Sequence, residues 1–421
     1  MENNRESTFL IMGITLREYQ KQIAEKGAVI LDRHKILYLS MEVRTGKTLT
    51  ALSIARTFKS VLFVTKKKAI SSIQNDYNLL DPNYDIVIIN YESLHKIEGD
   101  FDLIIIDEAH GLGSFPKPSK RVKDLIPKCK NKPIIYLSGT PTPESYSQIY
   151  HQFKISSYSP FKQYINFYKW ANDYVNIDRK MIAGNYINDY SNANKEKIDK
   201  YSKGVFISYT QKEAGFVNTI NETILPVKMK PVTRSLIKKL SKDLVIQGKE
   251  EVVLADTPVK LQQKIHQLSS GTIKFESGNF KIIDYSKCEY IKDNFKGQKI
   301  AIFYKFKAEF EALKETFPTW TNEIEEFNTK KDSVFLTQIL SGREGINLSI
   351  ADSLIFYNID FSATSYFQAR DRLTSKTRTK ENRVFWLFSI GGIENKIYKC
   401  VKNKEDYTLN HFRNDRSEIT N

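Results

Sequence analysis

Short apolar runs of five or six residues recur along the chain, and segments with helical spacing separate them. Continuous apolar runs of this length indicate strands buried on both faces, and their alternation with helices predicts parallel sheets. In such sheets, ligand-binding side chains gather at the carboxyl ends of the strands. The predicted strands are residues 35–39, 61–65, 85–90, 102–107 and 133–138, followed by 299–304, 333–337, 353–357 and 384–388.

These two groups of strands predict two α/β domains, each a mostly parallel sheet flanked by helices. A first helix is expected from Leu16 to Lys26, with Gly27 as its end. From about residue 143 the pattern changes to aromatic and polar residues with helical spacing, which predicts a helical extension of the first domain. We place the boundary near residue 226, so that the domains are 1–226, with the extension at about 143–226, and 227–421.

One stretch of the extension allows two interpretations. Phe161, Tyr164, Ile165 and Tyr168 fall on one face of a predicted helix, with lysines close by. Interleaved aromatic and basic residues can stack on bases and hold a nucleic-acid strand. The spacing is also that of an ordinary amphipathic helix, which favours a role in the core.

The charge balance adds a candidate partner. Lys and Arg outnumber Asp and Glu by 64 to 49, which gives a net charge of +15 and favours a polyanion such as nucleic acid, although a general basic bias would give the same balance. Cys129, Cys288 and Cys400 lack metal-ligand spacing and predict reduced thiols. No apolar run reaches membrane-spanning length, and the polar N-terminus is unlike a signal peptide, so we expect a soluble, cytoplasmic protein without membrane contact.

Two sequences carry candidate chemistry. Gly46-Lys47-Thr48 follows a predicted strand and opens a predicted helix, which places backbone N–H groups, an ammonium and a hydroxyl where phosphates and Mg²⁺ bind. Asp107 and Glu108 end another apolar strand, where one carboxylate can bind Mg²⁺ and the other can orient or deprotonate a water molecule. The pair in this order predicts an ATP site with Lys47 on the phosphates and with Thr48 and Asp107 as metal ligands.

Together with further motifs in the same order, these residues resemble the helicase core of superfamily 2, and within it the Swi/Snf-like branch in a compact form of the phage or viral type. The resemblance runs from Leu16 to about Asp406. Its best-matched stretches are Leu16 to Gln20, Met41 to Thr48, the DEAH box Asp107 to His110, Ser138 to Pro141, Gly342 to Leu348 and Gln368 to Arg372, with Ser286-Lys287 and Lys305 as weaker matches.

The resemblance assigns roles to individual residues. It implies that Gln20 binds the adenine and that Thr45, Gly46, Lys47 and Thr48 bind the phosphates. His110, Ser138 and Thr140 would couple hydrolysis to domain movement, with Glu108, Asp107 and Lys47 as catalytic residues. In the second domain, Gly345, Gln368 and Arg372 would contact the nucleotide, and Arg372 would stabilise charge on the γ-phosphate in the transition state.

The sequence departs from the family pattern at three positions. Met41 and Arg44 stand where glycines are frequent in the phosphate loop, and Ser375 stands where a second arginine is expected. Three nearby cations could replace that arginine, namely Arg370, Lys376 and Arg378.

The resemblance implies two tandem RecA-like domains with an ATP site between them, and cofactors ATP and Mg²⁺. It predicts an ATP-dependent DNA helicase or translocase that contacts single-stranded, duplex or forked DNA mostly through backbone phosphates, in replication, recombination or repair. Two alternatives stay open: a duplex translocase or remodeller that does not separate strands, and a nucleic-acid-binding scaffold whose ATPase has decayed. The sequence does not identify a protein partner.

Overall fold

The computed structural model describes residues 15–182, 185–216, 220–248, 250–342, 346–375, 378–403, 407–409, 411–412 and 415. The chain divides into two units between Gly215 and Phe216, and each unit contains a six-stranded sheet in which all neighbouring strands are parallel. The predicted fold class, two tandem RecA-like α/β domains, is confirmed. Among the described residues, no helix is both long and apolar enough to cross a membrane.

The first unit contains seven α-helices and eight strands in its described part. The helices are α1 (Glu18–His34), α2 (Lys47–Ile54), α3 (Ile70–Leu80), α4 (Lys120–Cys129), α5 (Ile149–Lys154), α6 (Phe167–Tyr174) and α7 (Lys195–Ser202). The strands are β1 (Ile36–Met41), β2 (Ser60–Thr65), β3 (Asp85–Asn90), β4 (Leu103–Asp107), β5 (Ile134–Leu137), β6 (Asp178–Ile182), β7 (Asn185–Asp189) and β8 (Phe206–Tyr209). The main sheet has the order β3-β2-β4-β5-β1-β8, and β6 and β7 form a separate antiparallel pair.

Side chains alternate between the two faces of the first sheet, and both faces are covered. Along β1, Ile36 and Tyr38 belong to one core cluster, which includes Trp170 from the extension. Leu37 and Leu39 belong to the other cluster, which contains residues of α1, α2 and α3. The extension therefore covers one face of the sheet with aromatic side chains, as expected for strands that are apolar throughout.

Two local predictions in this unit were wrong. Helix α1 continues to His34, because Gly27 serves close packing and does not end the helix; a Cβ there would lie 2.7 Å from Ile54 Cδ1. The predicted helix over Phe161 to Tyr168 is also absent, since α6 begins at Phe167. Phe161 is fully buried, in agreement with the core interpretation, whereas Ile165 is 84% exposed.

The second unit contains ten strands and eight α-helices in its described part. The strands are β9 (Ile220–Val227), β10 (Val245–Gln247), β11 (Val252–Leu254), β12 (Thr272–Lys274), β13 (Phe280–Ile282), β14 (Ile300–Tyr304), β15 (Trp320–Thr321), β16 (Val334–Gln338), β17 (Ser353–Phe356) and β18 (Asn382–Ser389). The helices are α8 (Pro231–Asp243), α9 (Pro258–Ser269), α10 (Ser286–Asn294), α11 (Lys307–Thr316), α12 (Ile324–Thr329), α13 (Ile339–Gly342), α14 (Ala363–Arg370) and α15 (Glu394–Lys402). The main sheet has the order β15-β16-β14-β17-β18-β9.

The division at Gly215 precedes the boundary predicted at residue 226, and strand β9 is the reason. All eight residues of β9 pair in parallel with β18, from Ile220 opposite Asn382 to Val227 opposite Ser389. This strand was not predicted, because its alternating polar residues lack the continuous apolar run of the other strands. The structure therefore assigns to the second unit a segment that the sequence placed in the first.

Candidate active site

The phosphate loop joins β1 to α2 and is held by contacts within the first unit. Gly46 lies in the left-handed region at φ 81° and caps α2, whose helix begins at Lys47. The Thr45 side chain donates a hydrogen bond to the Glu42 carbonyl at 2.8 Å. The first N–H groups of α2 have no partner within the helix, so they are the groups that can bind phosphate oxygens.

Helix α1 supports this loop through two adjacent side chains. Gln20 Nε2 donates to the Gly46 carbonyl at 3.2 Å, and Tyr19 Oη donates to the Thr45 carbonyl at 3.0 Å. Gln20 Oε1 accepts from the Arg17 N–H at 2.9 Å. Gln20 thus joins the phosphate loop to the start of α1 through the two ends of its amide, and its contact with adenine stays a prediction.

The two departures from the family loop have local explanations. Met41 is the last residue of β1 and is fully buried in the core. Arg44 has φ 65°, a region that L-residues other than Asn and Asp rarely adopt, so the backbone keeps a glycine-like conformation although the residue has a side chain. The turn before Gly46 therefore keeps its conformation although Met41 and Arg44 replace the usual glycines.

Asp107 lies at the carboxyl end of β4 and is only 8% exposed. Its Oδ2 accepts a hydrogen bond from Thr65 Oγ1 at 2.8 Å, which comes from the end of β2. Burial, followed by the negative charge of Glu108, raises the pKa of Asp107 to about 6, while the Lys47 ammonium and the Thr65 hydrogen bond lower it. Lys47 and Asp107 therefore interact electrostatically at one edge of the first sheet.

The remaining predicted residues of the first unit form a short hydrogen-bonded path. His110 Nδ1 lies 3.2 Å from Glu108 Oε2 and 3.0 Å from Ser138 Oγ. Ser138 Oγ also accepts from the Thr140 N–H at 3.2 Å. The structure thus brings together the water-orienting candidate and the two coupling segments, and Thr140 joins through its backbone N–H.

Glycine at position 139 permits this path to lie against the phosphate loop. A Cβ on Gly139 would stand 3.3 Å from the Met41 carbonyl oxygen and 3.6 Å from Glu42 Cα. A contact of 3.3 Å is tighter than most Cβ contacts, and the opposing group is backbone, which adjusts poorly. Gly139 therefore sets the distance between the segment at Ser138 and the start of the loop.

In the second unit, Gln368 belongs to α14 and Arg372 to the 3₁₀ turn Asp371–Leu373 that follows it. Arg372 is partly exposed, and its Nε donates to the Gln368 carbonyl at 3.0 Å. Gln368 is 6% exposed. Gly345 lies outside the described residues. The structure therefore groups Gln368 and Arg372, and their roles stay predictions.

Two of the three candidates for the missing second arginine have structural contacts instead. Arg370 forms ion pairs with Glu222 and Asp371 at 3.1 Å each. Arg378 is 7% exposed, and its Nη1 and Nη2 donate to the carbonyls of Ala351 at 2.7 Å and Glu381 at 2.6 Å. Lys376 lies outside the described residues. Neither arginine is therefore available for a nucleotide in this conformation.

The residues of the first unit fit the predicted ligands. Within the described residues, no cluster of three or more His, Cys, Asp or Glu side chains could hold a metal ion. Mg²⁺ at a nucleotide site needs only one or two protein ligands, because phosphates and water supply the others. The Thr48 hydroxyl at the start of α2 and the Asp107 carboxylate are ligands of this kind.

Sequence reasoning missed the residues that hold these side chains in place. Tyr19 and Thr65 contact the phosphate loop and Asp107, and Tyr91 Oη donates to the Asp107 carbonyl. A signal existed for Thr65, since it ends a predicted strand at the same edge of the sheet as Asp107. Nothing in the sequence indicated the contacts of Tyr19 and Tyr91.

Comparison with known proteins adds the family. A model of the SNF2-related domain matches residues 48–284. The chromatin-remodeling ATPase INO80 of Candida albicans is 28% identical over 148 residues, which are 34% of this chain and 10% of that protein. The CHD3-type chromatin-remodeling factor PICKLE of Arabidopsis thaliana is 21% identical over 390 residues, which are 80% of this chain and 26% of that protein. The chain thus spans about a quarter or less of these two relatives.

A solved structure, the SWI2/SNF2 ATPase core domain of Sulfolobus solfataricus, superposes with a TM-score of 0.41 at 17% identity, and covers 96% of this chain and 92% of that one. The match to the SNF2-related domain extends over more than half of the 421 residues. The chain therefore belongs to the SNF2-related domain family, the Swi/Snf-like branch of superfamily 2 that its motifs predicted.

Proposed function

We propose that this protein uses ATP hydrolysis to move along duplex DNA. The enzymatic part follows from the family, since the chain is an ATP-hydrolysing enzyme of SNF2-related type. The observation that carries the proposal is that the phosphate loop with Lys47 follows β1 and the buried Asp107, beside Glu108, ends β4, at the carboxyl edge of the same parallel sheet. These are the cation and the two carboxylates that phosphoryl transfer requires.

Each residue of the first unit has one task in this proposal. The N–H groups at the start of α2 and the Lys47 ammonium bind the phosphates, and Thr48 and Asp107 would hold a metal ion. Such an ion would supply positive charge beside the phosphate oxygens. Glu108 orients the attacking water or accepts its proton. His110 contacts both Glu108 and Ser138, so a movement of Glu108 would also displace Ser138.

The second unit supplies the remaining groups of the proposal. Arg372 acts as the transition-state cation, without a second arginine at Ser375. Gln368 positions Arg372 through its carbonyl. Gly345 and the adenine contact of Gln20 complete the proposed nucleotide-binding set.

DNA as the track is supported by the net charge of +15 and by the relatives, two of which are named as chromatin-remodeling proteins. Binding is expected to be dominated by backbone phosphates and hence tolerant of sequence. Strand separation is a separate proposal, supported by a relative named as a probable ATP-dependent DNA helicase, CHR12 of Arabidopsis thaliana, 23% identical over 366 residues. A phage or viral origin and roles in recombination or repair stay predictions.

The test compares ATP turnover by the wild type and Lys47→Ala with duplex, single-stranded and forked DNA and with RNA. We expect duplex DNA to stimulate ATP turnover by the wild type most. The duplex-stimulated turnover of Lys47→Ala should be at least about 100-fold lower than that of the wild type. Lys120→Ala is the matched control, because the Lys120 side chain is 88% exposed on α4. Equal turnover by Lys47→Ala would place the site elsewhere.

Two further outcomes separate the alternatives. Absence of stimulated turnover in the wild type would identify the decayed scaffold. Release of the fork's single strand would add unwinding, whereas displacement of a bound protein block from intact duplex without strand release would identify translocation alone.

A further inference from the structure

A basic stripe lies on helix α8 at the start of the second unit. Residues 228–242 contain six Lys or Arg and no Asp or Glu. Thr233, Ile237 and Leu240 face the core, and the opposite side of the helix is exposed. Arg234, Lys238 and Lys242 recur at every fourth position on that exposed side, so they form one row along the helix.

The row adjoins a cavity of about 390 Å³ at the carboxyl edge of the second sheet. Its lining includes Lys228, which directly follows β9, together with Arg234 and Lys238. Gly391 and Gly392, which follow β18 after Ile390, also line it. The cavity is therefore lined by three cations, by two glycines and by the apolar side chains of Met229, Pro231, Ile237 and Ile390.

Contacts within the unit hold part of this surface. Arg234 Nη2 donates to the Ile390 carbonyl at 3.1 Å, which fixes its guanidinium over the glycine turn. Gly391 has φ 74°, and a Cβ there would lie 3.1 Å from Arg234 Nη2. Among the described residues, the other guanidinium N–H groups of Arg234 have no acceptor, so they can bind a further one.

In the described part of the chain, no carboxylate lies within ion-pair distance of Lys228, Arg234, Lys238 or Lys242. Two acidic residues lie close to α8. Asp243 ends the helix directly after Lys242. Asp284, which precedes α10, accepts from the Lys230 N–H at 2.6 Å and from Thr233 Oγ1 at 2.7 Å, so its negative charge lies at the start of α8.

A second cavity of about 410 Å³, at the opposite edge of the same sheet, provides the contrast. Its lining also contains lysines, but it includes Asp332 and Asp352, and Asp352 forms an ion pair with Lys380. Its lining therefore carries charges of both signs, five lysines and two aspartates. The lining of the first cavity, in contrast, contains cations and no acidic side chain.

We propose that Lys228 and the row Arg234, Lys238 and Lys242 bind consecutive phosphates of one strand of a DNA duplex. Four helical residues rise by about 6 Å, so the row covers about 12 Å, a length over which one strand of B-DNA carries about three or four phosphates. The proposal rests on the proposed function and gives the second unit its own contact with the track.

The test removes the row and measures the salt dependence of duplex binding by fluorescence anisotropy, without nucleotide. The variant is Arg234→Gln, Lys238→Gln, Lys242→Gln. The matched control, Lys292→Gln, Lys296→Gln, Lys331→Gln, makes the same charge change at exposed lysines beside the opposite cavity. We expect the slope of log K against log salt to fall by about 2 to 3 for the row variant and by less than 1 for the control.

Affinity for duplex at physiological salt is expected to fall at least about 10-fold in the row variant alone. Equal losses in the two variants, or an unchanged slope in the row variant, would overturn the proposal. If the wild type then still shows duplex-stimulated ATP turnover, the proposed function stands; a wild type without duplex binding overturns both.

Three competitors identify the ligand further. Duplex DNA should displace the labelled duplex better than single-stranded DNA or double-stranded RNA does, and this preference should weaken in the row variant. Stronger competition by an acidic polypeptide such as polyglutamate would assign the row to a protein partner and overturn the proposal. Circular dichroism melting of the variants verifies that each is folded.

Discussion

At the scale of the residue, Asp107 combines the chemistry of a metal ligand with the position of a core residue. It is buried at the end of β4, and its pKa is raised to about 6, first by burial and then by Glu108. Ionising this carboxylate at neutral pH without a bound cation is therefore unfavourable. The ionised carboxylate therefore lowers the free energy of unfolding of the ligand-free protein, and a bound metal–nucleotide complex would offset this loss.

Asp107→Asn should accordingly stabilise the ligand-free protein. The native pKa of about 6 lies above the usual value of 3.8, so the ionised carboxylate costs about 2 to 3 kcal/mol above pH 7. The native state binds this proton more tightly than the unfolded state, so the gain should shrink as the pH falls below about 6 and nearly vanish near pH 4. Urea unfolding in EDTA at several pH values measures it, and turnover should be lost.

Asp352 is the control with the opposite sign. Burial acts to raise the pKa of Asp352, but hydrogen bonds from Lys380 and the Lys299 N–H outweigh it, so the net pKa lies below the usual range. Asp352→Asn should therefore destabilise the protein above pH 5 and have less effect as the pH falls through the native pKa. Gains or losses of the same sign in both variants would contradict this account of Asp107.

The two arginines Arg372 and Arg378 should separate turnover from stability. Arg372 is partly exposed, so Arg372→Gln should lower ATP turnover at least about 100-fold and leave the melting temperature nearly unchanged. Arg378 is buried and donates to backbone carbonyls, so Arg378→Gln should cost about 2 to 3 kcal/mol and lower the melting temperature by several degrees.

Assays below the melting temperature of both variants keep the two effects distinct. Retained turnover in Arg378→Gln would show that its role is structural. If Arg378→Gln instead lost turnover and melted like the wild type, Arg378 would be the replacement for the arginine absent at Ser375.

At the scale of the element, strand β9 connects the edge of the second sheet to helix α14. Glu222 on this strand accepts hydrogen bonds from Tyr366 Oη at 2.7 Å and Trp386 Nε1 at 2.9 Å, and it forms an ion pair with Arg370. Two of these partners belong to α14, which precedes Arg372. The strand therefore positions the helix that carries the proposed nucleotide contacts.

Fragments of the chain test this assignment of β9. A fragment of residues 216–421 keeps the whole strand, whereas a fragment of 227–421, cut at the boundary predicted from the sequence, leaves only Val227 of it. The shorter fragment exposes the backbone of β18 and leaves Arg370 without Glu222, which costs several kcal/mol. We expect cooperative thermal unfolding for 216–421 and little or none for 227–421. Equal melting of the two fragments would show that β9 contributes nothing.

At the scale of the whole molecule, the positive charge is distributed unevenly. The net charge is +15, and residues 228–242 alone contribute six positive charges without a negative one. The described structure places three of these six in a row on one exposed helix face. Because these three residues lie on the same exposed face of α8, part of the excess positive charge is concentrated on one side of that helix.

The sequence alone was sufficient for much of the fold and of the site. Continuous apolar runs identified most strands of both sheets, because burial on both faces leaves a local signature that needs no partner. Gly46-Lys47-Thr48 and Asp107-Glu108 were identifiable for a similar reason, since phosphate chemistry restricts residue types at fixed spacing. The three strands missed at the sheet edges, β8, β9 and β15, are partly exposed or only two residues long and carry no such signature.

Only the tertiary structure decided which residues hold these groups in place. Gly27 lies within α1 because Ile54 packs against it, and Thr65 supports Asp107 because β2 and β4 are neighbours in the sheet. Arg370 and Arg378 are equivalent basic residues by sequence, yet both have internal partners in the fold. Periodicity reports the burial of a residue, whereas its partners depend on contacts between segments far apart in the chain.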